Sequence, residues 1–83
     1  MQIVDLSVLD EWVIVVFRES VKIFNFERGF TKENIVAQYP IRKIEGPMTQ
    51  GQVAAYTDPQ EKHLIVAFQN HEKASKIDIV IIS

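Results

Sequence analysis

The sequence predicts an all-β protein made of antiparallel sheets, and three observations predict it. Val, Ile, Phe and Tyr gather into short runs of six or seven residues, parted by charged or turn-forming clusters. No stretch holds a helical period: "HEKASK" has helical propensity but covers under two turns, too short to persist alone. The second half of the chain repeats the pattern of the first.

The first run is Ile3 to Leu9, ended by Asp10-Glu11. The second, "WVIVVF" from Trp12 to Phe17, is apolar at every position, as suits a strand buried on both faces in the middle of a sheet. Arg18-Glu19-Ser20 makes a tight connection into "VKIFNF", in which Val21, Ile23 and Phe26 hold a core rhythm that Lys22 and Asn25 interrupt. A polar stretch with Gly29 leads to "NIVAQYP". Pro40 at its end removes a ladder donor, which places this strand at an edge.

A long connection follows, "IRKIEGPMTQGQ", with Gly46-Pro47 and Gly51 as breakers. "QVAAYT" is the fifth run, Asp58 to Lys62 a polar turn, "HLIVAF" the sixth run, and "QNHEKASK" a polar loop before the closing "IDIVII". The expected architecture is one four-stranded antiparallel sheet over residues 3–39 and three strands of a second over residues 51–82. The expected core includes Ile14, Val16, Ile23, Ile65, Ala67 and Ile79, all on central strands of the two repeats.

The repeat is specific in its order. "IVAF" at Ile65 follows "IVVF" at Ile14 by 51 positions, and each lies between a polar turn and a polar loop. "VKIFNF" aligns with "IDIVII" through Val21/Ile77, Ile23/Ile79 and Phe26/Ile82, an offset of 56, because the second loop is longer. Loop insertions of this kind add little closure entropy.

Composition bounds the function. The chain of 83 residues is one small domain at most, 47% apolar and 24% charged, which sets it apart from disordered chains. A net charge of −2 provides no electrostatic footprint for nucleic acid. The absence of cysteine excludes disulfides and thiolate zinc, and fits a reducing compartment. No apolar run has the length of a membrane helix, and no basic segment followed by an apolar stretch marks a signal peptide.

Catalytic chemistry finds little support. His63 and His71 lack metal-ligand spacing and read as ordinary strand-end and loop residues. Asp10 and Glu11 are adjacent, so an extended chain points them apart and they read as a solvated turn. Gly46 and Gly51 belong to no phosphate loop. Trp12 reads as a packing residue, and Arg42-Lys43 as a solvated pair with at most a share in an anionic surface site. No catalytic residue, cofactor or metal is expected.

"VKIFNF" resembles the "V-R-I-W-D-L" third strand of WD40 repeats, with Phe24 for Trp and Asn25 for Asp. "VAAYTDPQEKHLIVAF" resembles the preceding part of such a repeat, with Thr57-Asp58-Pro59-Gln60 as its turn. The Gly-His and Trp-Asp dipeptides are missing, so the repeat is degenerate. The series "WVIVVFRESVKIFNF", an outer strand, and then "GPMTQGQVAAYTDPQEKHLIVAF" is similar to the PROPPIN family of seven-bladed, phosphoinositide-binding propellers of autophagy. Pro47 to Asp58 and Leu64 to Phe68 fit that family's order, mainly by apolar pattern.

The resemblance implies about two antiparallel blades of a seven-bladed β-propeller: residues 1–45 the first, residues 46–83 the second without its outer strand. Two blades cannot close such a ring, so a piece of a longer chain is expected, or copies or a partner that complete it. The resemblance further implies a non-enzymatic scaffold, cytoplasmic and peripheral to membranes in the full-length protein. Its partners are other proteins and the remaining blades. The family's paired-arginine lipid signature has only a superficial echo in "FERGF", which has one arginine and Glu27 beside it. Phosphoinositide membranes are therefore expected to bind only through blades absent from this chain. The family's protein-partner groove falls here on Asp10 and Glu27, acidic where the family tends to be basic, with Arg28 adjacent. A generic WD40 interaction module and a small self-associating β-domain remain as alternatives.

Overall fold

A computed structural model describes residues 2–28, 32–45, 53–60 and 62–83. Sheet A has four antiparallel strands in sequence order: β1 (Ile3–Leu9), β2 (Trp12–Phe17), β3 (Ser20–Asn25) and β4 (Ile35–Pro40). Sheet B has three, also in order: β5 (Val53–Thr57), β6 (Leu64–Gln69) and β7 (Ile77–Ile82). Short 3-10 turns at Phe26–Arg28 and Lys32–Asn34 lead from β3 to β4. Gly29, Gly46-Pro47, Gly51 and Glu61 of the expected connections lie outside the described residues.

Each hairpin has a local cause. Leu9 pairs with Trp12, so Asp10-Glu11 is a two-residue turn, and such turns need a positive φ that Asp tolerates. Asp10 adopts φ 52. In the β5–β6 connection the Asp58 side chain accepts the Gln60 amide at 2.9 Å, an Asx turn, and Lys62 takes φ 60. The β6–β7 loop is organised by Asn70. Its Oδ1 accepts the amides of Glu72 and Lys73 at 2.9 and 2.8 Å, and its Nδ2 donates to Asp78 at 2.9 Å.

The two sheets stack face to face. Sheet A contributes Trp12, Ile14, Val16, Val21 and Ile23, and sheet B contributes Leu64, Val66, Phe68 and Ile82. Tyr39 reaches across from β4 to Phe68, with ring centroids 5.8 Å apart. The backbones approach within 8 Å of each other chiefly between β1 and β5. Near β2 and β6 the core is joined by Ile41 and Ile44, from the start of the connection after β4. That segment is tied to both sheets: Ile41 N donates to Glu19 O at 3.0 Å, Arg42 N to Gln69 O at 3.2 Å, and Ile44 N to Arg18 O at 2.8 Å. The Arg18 guanidinium returns a bond to Ile44 O at 2.9 Å. Strand β2 is buried on both faces, since Val13 and Val15 pack with Phe24 on the far side of sheet A.

Three expectations about packing are corrected. Phe26 is exposed, because β3 ends at Asn25 and Phe26 opens a 3-10 turn; Phe24 is buried, on the opposite face of β3 from Val21 and Ile23. Ile79 is 65% exposed, and Ile65 and Ala67 are only half-buried. The cause is facing: β6 turns Leu64, Val66 and Phe68 toward sheet A, so Ile65 and Ala67 point away, and the neighbouring Ile79 with them. The offset between β3 and β7 is also corrected. Ile14 pairs with Ile23, and Ile65 with Ile81, so the counterpart of Ile23 is Ile81, 58 positions on, rather than Ile79.

Candidate functional site

The residues singled out from the sequence gather at one end of sheet A. The 3-10 turn after β3 is pulled against the β1–β2 turn by Phe26 N donating to Glu11 O at 2.6 Å. Asn25 bridges the same two turns. Its Oδ1 accepts the Glu27 amide at 3.0 Å, and its Nδ2 donates to Glu11 Oε2 at 3.4 Å. Asp10, Glu11 and Glu27 thus share one rim, and all three are exposed. The backbone of Arg28 belongs to this 3-10 turn, and its side chain lies outside the described residues.

A cavity of about 330 Å³ opens beside that rim, between the β1–β2 turn and the β5–β6 turn. Asp10, Glu11 and Trp12 form one wall; Thr57, Asp58, Pro59 and Lys62 form the other. Glu27 does not line it. The cleft therefore brings Asp10 toward sheet B and leaves Glu27 at its own turn. Asp58 was read from the sequence as a turn residue, and it is also a wall of this cleft. Three carboxylates and one ammonium give the cleft an acidic character. Trp12 is buried in the core between the sheets.

The other polar candidates are dispersed. His63 precedes β6 and its carbonyl accepts the Asp58 amide at 2.9 Å, while His71 lies in the β6–β7 loop with Nε2 3.4 Å from Glu72 Oε1. Among the described residues, no three His, Cys, Asp or Glu come together as metal ligands. Lys43 lines a cavity of about 470 Å³ with Arg18, Glu19 and Ser20, so a carboxylate sits among its cations. Among the described residues no helix is long and apolar enough to cross a membrane.

A further feature of the surface is apolar, and the sequence reading missed it. The far side of sheet A carries an open trough of about 420 Å³ formed by Ile3, Leu6, Val8 and Phe26 over Val13, Val15 and Phe24. Lys22 lies at its margin, Nζ 5.1 Å from the Phe17 ring centroid. The far side of sheet B exposes Tyr56, Ile77, Ile79 and Ile81. Exposed apolar surface of this kind occurs on proteins at interaction sites, ligand grooves and aggregation-prone faces. A signal for it was present in the sequence. Strands β1, β2 and β7 carry apolar residues on both faces, more than one interface between two sheets can cover. No protein-family model, no curated protein and no solved structure matches this chain.

Proposed function

We propose that the chain is a non-enzymatic scaffold segment: two stacked blades of a β-propeller, the second without its outer strand, from a PROPPIN-like phosphoinositide-effector protein of autophagy. One observation carries this reading. Two antiparallel sheets with strands in sequence order stack on each other and still present apolar surface on both outer sides. Blades of a propeller need neighbours on both faces, and this chain has faces for them. The close approach of β1 and β5 suits the inner strands of a ring, and the exposed Pro40-ended β4 suits a rim. The acidic cleft at Asp10 and Asp58, with Glu27 and Arg28 on the adjoining turn, would serve protein partners.

Membrane binding belongs, on this reading, to blades outside the chain, in a cytoplasmic protein that meets membranes peripherally. Headgroup capture needs converging cations, and nine Lys and Arg stand here against eleven acids. Flotation of the parent polypeptide and of the 83-residue chain, side by side on vesicles with and without phosphoinositide, tests this. The parent should float with phosphoinositide and the chain should not. A parent indifferent to phosphoinositide overturns the reading. So does a chain that floats on it and stops doing so as Arg28→Ala.

A further inference from the structure

We propose that this chain assembles head to tail with further copies of itself, the exposed face of sheet B of one copy covering the apolar trough on sheet A of the next. The argument starts from the pairing register. Strands β1–β2–β3 and β5–β6–β7 have the same order and direction. Ile14 pairs with Ile23 and Ile65 with Ile81; Val15 pairs with Lys22 and Val66 with Val80. Position by position, the face of sheet A that carries Ile14 and Ile23 corresponds to the face of sheet B that carries Ile65 and Ile81. The trough face with Val15 corresponds to the sheet B face with Val66.

The two sheets differ in which kind of face is covered by the other sheet. Ile23 is fully buried because sheet B covers it, and its counterpart Ile81 is 64% exposed. Val66 is fully buried because sheet A covers it; its counterpart Val15 is buried only among side chains of its own sheet, Val13 and Phe24, and Leu6 beside it on that face is 57% exposed. The contact inside the chain thus joins one kind of face to the other. The two uncovered faces are again one of each kind, at opposite ends of the stack. A surface that already fits its like within the molecule specifies its occupant: the complementary face of a second copy. Chemistry agrees, since Ile79 and Ile81 meet Leu6 and Val8 as apolar surfaces. Lys22 lies at the margin with its ammonium over the Phe17 ring, Nζ 5.1 Å from the centroid. Such an interface is heterologous, so each copy uses two different faces, and growth continues unless a ring closes.

The proposal concerns the 83-residue chain by itself, whose two uncovered faces the remaining blades would occupy in the parent protein; it rests on the register and the exposed faces and not on lipid binding, so failure here leaves the flotation result untouched. The test is sedimentation velocity with light scattering on the 83-residue chain and on Ile81→Asp and Leu6→Asp, each over a wide range of concentration. The unaltered chain should grow in mass with concentration. Each variant alone should remain a monomer, because one of its two faces carries a charge. Mixed in equal amounts, the two variants should form a 1:1 dimer, since Leu6→Asp keeps its sheet B face and Ile81→Asp keeps its trough. A monomeric unaltered chain overturns the proposal, as does a mixture that stays monomeric. Either variant dimerising alone also overturns it, because that indicates a face or an edge pairing with itself. Far-UV circular dichroism checks that both variants fold, and Ile79→Lys with Val8→Lys repeats the mixing experiment at neighbouring positions.

Discussion

Ile23 and Ile79 both sit mid-strand on the apolar face of a repeat, and their sequence settings look alike. Their energetic weights differ because only one is covered. Ile23→Ala removes a side chain with no exposure and should destabilise the fold by about 2–5 kcal/mol in chemical denaturation. Ile79→Ala, at 65% exposure, should change the stability of the dilute monomer by less than about 0.5 kcal/mol. Equal effects at the two positions would contradict the facing of β6 and β7. Backbone strain is another residue-scale matter. Lys62 at φ 60 is a long L-residue in the left-handed region, so Lys62→Gly should raise the melting temperature, by on the order of 1 kcal/mol of stability. Asp10 at φ 52 is better tolerated, and Asp10→Val should lower stability by a similar order, since a β-branched residue resists that conformation.

At the scale of the element, the β6–β7 loop depends on one side chain. Asn70 accepts two loop amides and donates to Asp78, while its own amide donates to Lys76 O at 2.9 Å. Asn70→Ala should cost about 1–2 kcal/mol and speed amide exchange of Glu72 and Lys73. Asn70→Asp should not rescue it, because a second carboxylate then faces Asp78. Strand β2 was legible from the sequence: six apolar residues in a row fit a central strand covered on both sides. The connection after β4 was not. Ile41 and Ile44 looked like scattered apolar residues in a polar linker, and they close the core between the sheets. Their place depends on backbone bonds to Glu19, Gln69 and Arg18, residues remote in sequence, which no local pattern reveals.

For the whole molecule, the exposed faces set the response to solution conditions. An assembly held by apolar surface should persist or strengthen as sulfate is added, since salting-out favours burial and there is little charge pairing to screen. Sedimentation at rising ammonium sulfate checks this, and dissociation under those conditions would point to ion pairs instead. The candidate cleft was half legible. Asp10 and Glu27 were named through the family resemblance; Asp10 lines the cleft, Glu27 lies on the adjoining turn, and Asn25 and Phe26 hold the two turns together. That Asp10 opens onto Asp58 and Lys62 of the other sheet depends on the stacking of the sheets.

The sequence by itself determined that the chain is all-β, where the seven strands among the described residues run, and that sheet B repeats the hairpins of sheet A. Strand periodicity and turn chemistry are local, and residues a few positions apart are enough to express them. Only the tertiary structure decided which face of each sheet is covered. Ile23 and Ile81 hold equivalent places in equivalent strands, and nothing near them in sequence tells them apart. The difference is that sheet B lies over Ile23, while Ile81 faces away from sheet A.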